Sequence, residues 1–239
     1  MISLRRAQER YHSGNAEPYV WLTFYPPTRP DPLAECFGNV INLGELWLAP
    51  GATCARDADH AGEVLTYVRE GQLTHRCWSG GSSVIQAGEF HLNTVSEGAM
   101  RRERNRSKTF RAHVYQLCLR NPMVGIRPAQ QERFSAAQRR GLFRLVASSD
   151  AREGSLRLEH EALVYSALLE PGQHAVYEIA AGRCVWLHVV SGVVSTSNLL
   201  LNAGDGIGVS GQPGVSVTPQ EQSELLLVDI RDRTPEGSC

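Results

Sequence analysis

Two short stretches carry the charged residues whose spacing could do chemistry. In the first, Asp57, Asp59, His60 and Glu63 follow at short intervals; in the second, Arg101 and Glu103 stand two apart. Alternate residues of a β-strand face the same side, so Asp57 with Asp59, and Arg101 with Glu103, each present a pair to one face. Arg101 cannot shed its proton. Gathered on one interior side, the three carboxylates and the guanidinium would form a buried charge network, with the guanidinium fork neutralising carboxylate charge. An excess of negative charge would remain, so either a carboxylate takes up a proton or a further cation joins. His60, Glu63 and His91 are the alternative ligands. His60 is one residue off the alternation and turns inward only at a bulge, and His91 could meet Glu63 or His60 across a barrel. His75 and His113 fit strand positions as satisfied structural histidines.

The elements that must hold these residues are strands. Val64, Leu65, Tyr67 and Val68 before Glu70-Gly71, and Ser82 to Gln86 before Ala87-Gly88, are runs bounded by turn pairs, the pattern of successive hairpins. An internal repeat organises the chain. Pro50-Gly51 overlays Pro171-Gly172 at an offset of 121, and Gly71 falls on Gly192 at the same offset. Gly88 and Gly98 fall on Gly204 and Gly214 at 116, which makes the second copy five residues shorter between strands. Glycines at matching turns imply two units of one design. Trp21 to Phe24 and Val40 to Leu46 read as the first strands. Residues 121–144 are the one place where a short helix is expected, and residues 231–239 read as a loose tail.

Pro50-Gly51, the x-Asp-x-Asp-x-x-x-Glu segment, Glu70-Gly71, Ala87-Gly88-Glu89 and Arg101-x-Glu103 together resemble the cupin motifs of the pirin family. Leu22-Thr23-Phe24, Phe37-Gly38-Asn39-Val40-Ile41-Asn42 and the stretch from Val146 to Leu156 extend the resemblance over residues 20 to 230. It implies an all-β bicupin fold, two double-stranded β-helix (jelly-roll) barrels packed face to face. An N-terminal cupin domain is expected over residues 1–122 and a C-terminal one over 123–239. The resemblance places Asp57, Asp59, Arg101 and Glu103 at the family's metal-ligand positions, facing into the first barrel. There the family carries His-x-His and His-x-Glu, so only Glu103 is retained. Carried across the repeat, Asp57 and Asp59 fall on Glu178 and Ala180, and Arg101 and Glu103 on Val217 and Pro219, which leaves the second barrel without a metal set.

Metal-bearing members of the family support dioxygenase activity on flavonols such as quercetin, and others act as regulatory or redox-responsive binding proteins. With a permanent cation among the ligand positions, no metal cofactor is expected. The implied function is a small-molecule-binding or regulatory bicupin with a degenerate metal site. The alternative is a quercetin 2,3-dioxygenase-like oxidoreductase, with Fe2+ or another divalent metal held in the N-terminal barrel by a rebuilt ligand set. No catalytic residue is assigned, although an Asp or Glu acting as acid or base without metal belongs among the alternatives.

Composition bounds these readings. At 239 residues, 42% hydrophobic and 21% charged, the chain can bury a full core. A net charge of −1 argues against nucleic acid or an anionic membrane as a partner of the chain as a whole. By alternation Arg102, Arg104, Arg106 and Lys108 point outward and read as a solvated face. No apolar run approaches the roughly 18 to 20 residues of a membrane helix. Arg5, Arg6 and Arg10 have no apolar stretch behind them, so a cytoplasmic location is expected. The six cysteines, Cys36, Cys54, Cys77, Cys118, Cys184 and Cys239, form no Cys-x-x-Cys pair and read as reduced thiols. A small-molecule ligand and a protein partner remain open.

Overall fold

Strands dominate because β-branched and aromatic residues recur between glycine turns. Gly62–Glu70 and Ala112–Arg120 bury almost every residue, the pattern of central strands covered on both faces. The computed structural model describes residues 1–13, 18–26, 29–33, 37–58, 60–76, 81–121, 125 and 127–232. The expected helix is the single turn Ala136–Arg139, capped by Ser135, whose hydroxyl accepts the Gln138 backbone N–H. The tail reading falls almost wholly on residues 233–239, outside the described ones, as do Cys36, Cys77 and Cys239. Among the described residues no helix is long and apolar enough to cross a membrane.

The chain forms two compact units. The first comprises Tyr11–Pro30 and Asn39–Phe134; the second comprises Met1–Arg10, Asp31–Gly38 and the chain from Ser135 onward. The division therefore differs from a single cut between 122 and 123. Ile2–Arg5 adds antiparallel to the edge strand Gly206–Ser210, with Ile2 opposite Val209 and Arg5 opposite Gly206. The Arg5 guanidinium reaches Asp31 at 2.5 Å in a buried ion pair, and Phe37 packs edge-on against Trp186 with ring centres 5.4 Å apart. Conversely, Gln130–Arg133 pairs with Glu89–Val95 in the first unit.

Each unit is a seven-stranded sheet opposed to a four-stranded one, an open cupin-like sandwich rather than a closed barrel. In the first unit the four-stranded sheet runs Thr53–Asp57, Met100–Arg104, Gln72–Arg76, Ser82–Gln86; in the second, Ala175–Glu178, Gly214–Pro219, Val193–Thr196, Leu199–Asn202. The cores of the large sheets repeat likewise. Glu89–Val95, Gly62–Glu70, Ala112–Arg120 and Val40–Leu48 correspond in order to Gly206–Ser210, Arg183–Ser191, Ser223–Arg231 and Leu163–Leu169. Gly71 and Gly192 turn with φ of +77° and +86°, and Gly88 and Gly204 both with +85°. The last pair of the repeat needs correction. Asp57 lies opposite Met100 and Glu178 opposite Gly214, so the offset there is 214 − 100 = 114, not 116. Gly214 opens a strand, whereas Gly98 sits in a turn at φ +72°. Arg101 and Glu103 thus correspond to Val215 and Val217, because the loop before this strand is shorter still.

A side chain at Gly192 would strike its surroundings, since an added Cβ lies 2.3 Å from Ser223 Oγ; at Gly172, also at positive φ, there is open space. Gly192→Ala is therefore expected to cost about 3 to 4 kcal/mol, and Gly172→Ala only about 1 to 2 kcal/mol. Urea denaturation of both variants checks this, and equal costs would contradict the close packing at the Gly192 turn.

Candidate functional site

Register decides which charges enter the first unit. Glu103 lies opposite Cys54 on one neighbouring strand and His75 on the other. Alternation then sends Cys54, Arg56, His75, Arg101 and Glu103 inward, and Thr53, Ala55, Asp57, Arg102 and Arg104 outward. Burial follows: Glu103 is 0% exposed, His75 2% and Arg101 8%, whereas Asp57, Arg102 and Arg104 are exposed.

The Glu103 carboxylate is the centre of a hydrogen-bonded group. Arg101 Nη2 donates to Glu103 Oε1 at 2.7 Å, and Gln116 Nε2 donates to the same oxygen at 2.9 Å. Gln116 Nε2 also reaches Thr66 Oγ1 at 3.2 Å, and its Oε1 accepts from Arg56 Nη2 at 2.5 Å. Arg56 Nη2 stands 3.6 Å from Glu103 Oε2, and His75 Nδ1 3.7 Å from Oε1. Burial alone would raise the carboxyl's pKa. Arg101 first, then His75, Arg56 and Gln116, outweigh it and hold the group well below the ordinary carboxylate range. Arg101 is raised in turn: its burial opposes the charge, but Glu103 and the Cys118 sulfur, 4.0 Å from Nη1, favour it.

Two histidines border this group. The His91 ring lies 5.3 Å from that of His75, it is 1% exposed, and neither of its ring nitrogens has a hydrogen-bond partner among the described residues. Burial, then the neighbouring His75 and Arg101, push its pKa down to about 4, against a smaller upward pull from Glu103. His91 is therefore neutral at pH 7. His75 differs from the expectation of a satisfied structural histidine, since neither ring nitrogen has a hydrogen-bond partner among the described residues and Glu103 stands 3.7 Å away. His113 meets that expectation, with Nε2 2.8 Å from Glu45 Oε1 and its ring stacked on Trp47.

The sequence places the charge network one residue out of step. Asp57 is exposed and Arg56 takes the inward position, because Thr53–Asp57 is in register with Met100–Arg104 through Cys54 and Glu103. The strand ends at Asp57, Ala58 hydrogen-bonds to Ala99, and Asp59 lies outside the described residues. Arg101 is accordingly not the sole cation near Glu103. His60 is part-buried, with Nε2 2.8 Å from Arg120 Nη2, and Glu63 is buried. Arg56, Gln116 and Thr66 are the residues missed. Gln116 is the one with a signal in the sequence, a polar residue inside the apolar run Val114 to Leu119.

A cavity of about 340 Å³ opens beside this group, with Arg56, Arg101, Gln116 and Glu63 on its wall, Asp57 and His60 also bordering it, and Val20, Leu22, Val64 and Leu119 supplying apolar surface. The second unit has nothing comparable at the matching interior positions. There Ala175, Leu187, Ile207, Val217 and Leu227 stand where the first unit has Cys54, Thr66, His91, Glu103 and Gln116, and all five belong to one apolar cluster.

Residues 41–119 match the family described as Pirin, and residues 145–230 the one described as Quercetinase C-terminal cupin domain. Over 231 residues the chain is 32% identical to the protein named quercetin 2,3-dioxygenase of Escherichia coli strain K12, covering 96% of this chain and 99% of that one. It is 25% identical over 245 residues to pirin-like protein YhaK of the same strain, covering 96% and 99%. Among solved structures, the bacterial pirin YhhW from Escherichia coli in complex with nickel(II) superposes with a TM-score of 0.84 at 32% identity, covering 97% of this chain and 100% of that one.

Two variants probe the buried charges. Arg101→Ala leaves Glu103 in the interior with only Arg56 as a nearby cation, and is expected to cost about 3 to 5 kcal/mol at pH 8. In the variant, burial holds the Glu103 pKa above its unfolded value. The deficit is therefore full above that folded pKa and fades as pH falls toward the unfolded value, so it narrows by pH 4.5. Outward Arg102→Ala should change stability by no more than about 0.5 kcal/mol. Denaturant titrations at the two pH values check both, and a mild, pH-independent Arg101→Ala would contradict the pairing. His91, with a folded pKa of about 4 against 6.5, makes the fold lose stability as pH falls from 6.5 to 4. The loss reaches about 3 kcal/mol. His91→Gln is expected to show a correspondingly smaller drop in unfolding free energy over that interval.

Proposed function

Because the chain belongs to the pirin family, whose relatives include a protein named quercetin 2,3-dioxygenase, we propose that its first unit binds a small molecule and works without the family's metal centre. The observation that carries this reading is the state of Glu103, the one ligand position retained: its carboxylate is engaged by Arg101 at 2.7 Å with Arg56 at 3.6 Å. A divalent cation such as the nickel(II) named for YhhW does not fit these residues. It would have to displace a guanidinium from Glu103 and then remain beside two permanent cations. Asp57, at a second ligand position, faces outward.

The cavity then defines the ligand. At about 340 Å³ it lies within the range of small-molecule sites, with apolar walls and a few convergent polar groups. Arg56 offers donors on the cavity wall, and Glu63 an acceptor. That pattern suits a planar, largely apolar molecule carrying hydroxyl or oxo groups at one edge, the chemistry of a flavonol. In this reading the arginines orient the polar edge, the aliphatic wall covers the ring, and the protein serves as a binding or regulatory module. The competing reading, a metal-dependent dioxygenase with a rebuilt ligand set, is favoured by the 32% identity to the Escherichia coli protein of that name.

Titration with quercetin under anaerobic conditions, alongside metal analysis, separates the two. Chelator-treated protein is expected to bind the flavonol at one site per chain, with affinity lowered about tenfold or more by Arg56→Ala through the loss of charge-assisted contacts. Binding that requires added iron, manganese or nickel, or oxygen consumption that appears only with stoichiometric metal, would replace this reading with the dioxygenase.

A further inference from the structure

The outward side of the sheet that carries Glu103 gathers arginines with no acid beside them among the described residues. Its register forms a grid. Thr53, Arg104, Thr74 and Val84 stand across one row, and Ala55, Arg102, Arg76 and Ser82 across the next. Arg102 and Arg76 are thus direct cross-strand neighbours, Arg104 is two residues along from Arg102, and Arg106 follows just past the strand end. All four arginines are exposed, and with Thr74 and Ser82 they line a hollow of about 430 Å³. Neighbouring strands lie about 5 Å apart and alternate residues about 7 Å apart, so these cations crowd within one strand pair. Like charges directly opposite each other destabilise a sheet.

Several exposed arginines elsewhere on the described surface have carboxylate partners, among them Arg133 with Glu89, Arg152 with Asp150 and Arg231 with Glu161. Arg76, Arg102, Arg104 and Arg106 have none among the described residues. The acid on this face, Asp57, stands one row further on, opposite Met100 and outside the hollow. Thr74 Oγ1 has no hydrogen-bond partner among the described residues.

We propose that this hollow binds a small polyphosphate, a compact anion of two or three linked phosphoryl groups. The guanidinium fork matches phosphate oxygens in pairs. Several such forks in one hollow match several phosphoryl groups held close together, and the bound anion removes the repulsion between Arg76 and Arg102. A nucleic acid strand fits less well. No aromatic side chain among the described lining offers a base a surface to stack on, and the net charge of −1 gives the chain no general attraction for a long polyanion. The hollow is distinct from the interior cavity, since the residues between them on the same strand, Arg101 and Glu103, face the other way.

Calorimetric titration of the full chain with sodium tripolyphosphate at low salt tests the site. Binding is expected at one site per chain, weakened by added salt. The Arg102→Gln/Arg104→Gln double variant should weaken it by about tenfold or more. Arg231→Gln, on an exposed arginine elsewhere, should leave it unchanged. Tripolyphosphate should also raise the melting temperature of the unmodified protein and not that of the double variant, whose own melting temperature shows that it folds. Absence of binding, binding unchanged in the double variant, or tighter binding of a single-stranded oligonucleotide through the same arginines would overturn the proposal.

Discussion

A carboxylate with no exposure is tolerated only when its charge is met in place, and in this protein the arrangement around Glu103 meets it. Arg101 and Arg56 supply positive charge, and Gln116 ties the second arginine to the same oxygen that Arg101 holds. Each member depends on another. Without Gln116, Arg56 would lose its hydrogen-bonded anchor; without Glu103, two guanidiniums would stand side by side on paired strands without that carboxylate between them. The strand pairing of Thr53–Asp57, Met100–Arg104 and Gln72–Arg76 fixes which residues take part, so register and charge balance constrain each other.

The second unit shows what the same sandwich does when it carries no such group. Its matching positions are aliphatic and join a single apolar cluster. In the first unit, apolar packing lies around the polar group. Leu46, Leu48, Val68, Leu73, Ile85 and Val114 form one cluster, and Ala58, Val64 and Val95 a smaller one. A polar interior displaces hydrophobic burial, which is the main favourable term in folding, so these matching positions contribute that term in the second unit and not in the first.

Much of the fold was legible because glycines and strand runs repeat. Gly71 with Gly192, and Gly88 with Gly204, correspond as the spacing indicates, since each turn requires a positive φ. Gly98 with Gly214 fails because a loop lost residues without any mark in composition. Within the site, Arg101 and Glu103 were identifiable by their alternation and their family positions. Arg56 was not, because parity on Thr53–Asp57 can be set only by knowing its partner across the sheet. The membership of Ile2–Arg5 in the second unit was likewise hidden, since a pairing so distant in sequence leaves no local pattern.

That distant pairing bears on the order in which the protein comes into being. Ile2 sits opposite Val209, 209 − 2 = 207 residues later, so Ile2–Arg5 cannot find its place until Gly206–Ser210 has been made. The first unit, Tyr11–Phe134 apart from its internal excursion, can assemble from chain already made. The second must wait for Ser223–Arg231, a central strand of its large sheet, and for the return of Ile2–Arg5. Until then Gly206–Ser210 presents an unpaired edge, the kind of surface on which nascent chains stick to one another. A change within Ile2–Arg5 therefore acts on a unit whose partner strand is encoded about two hundred residues away.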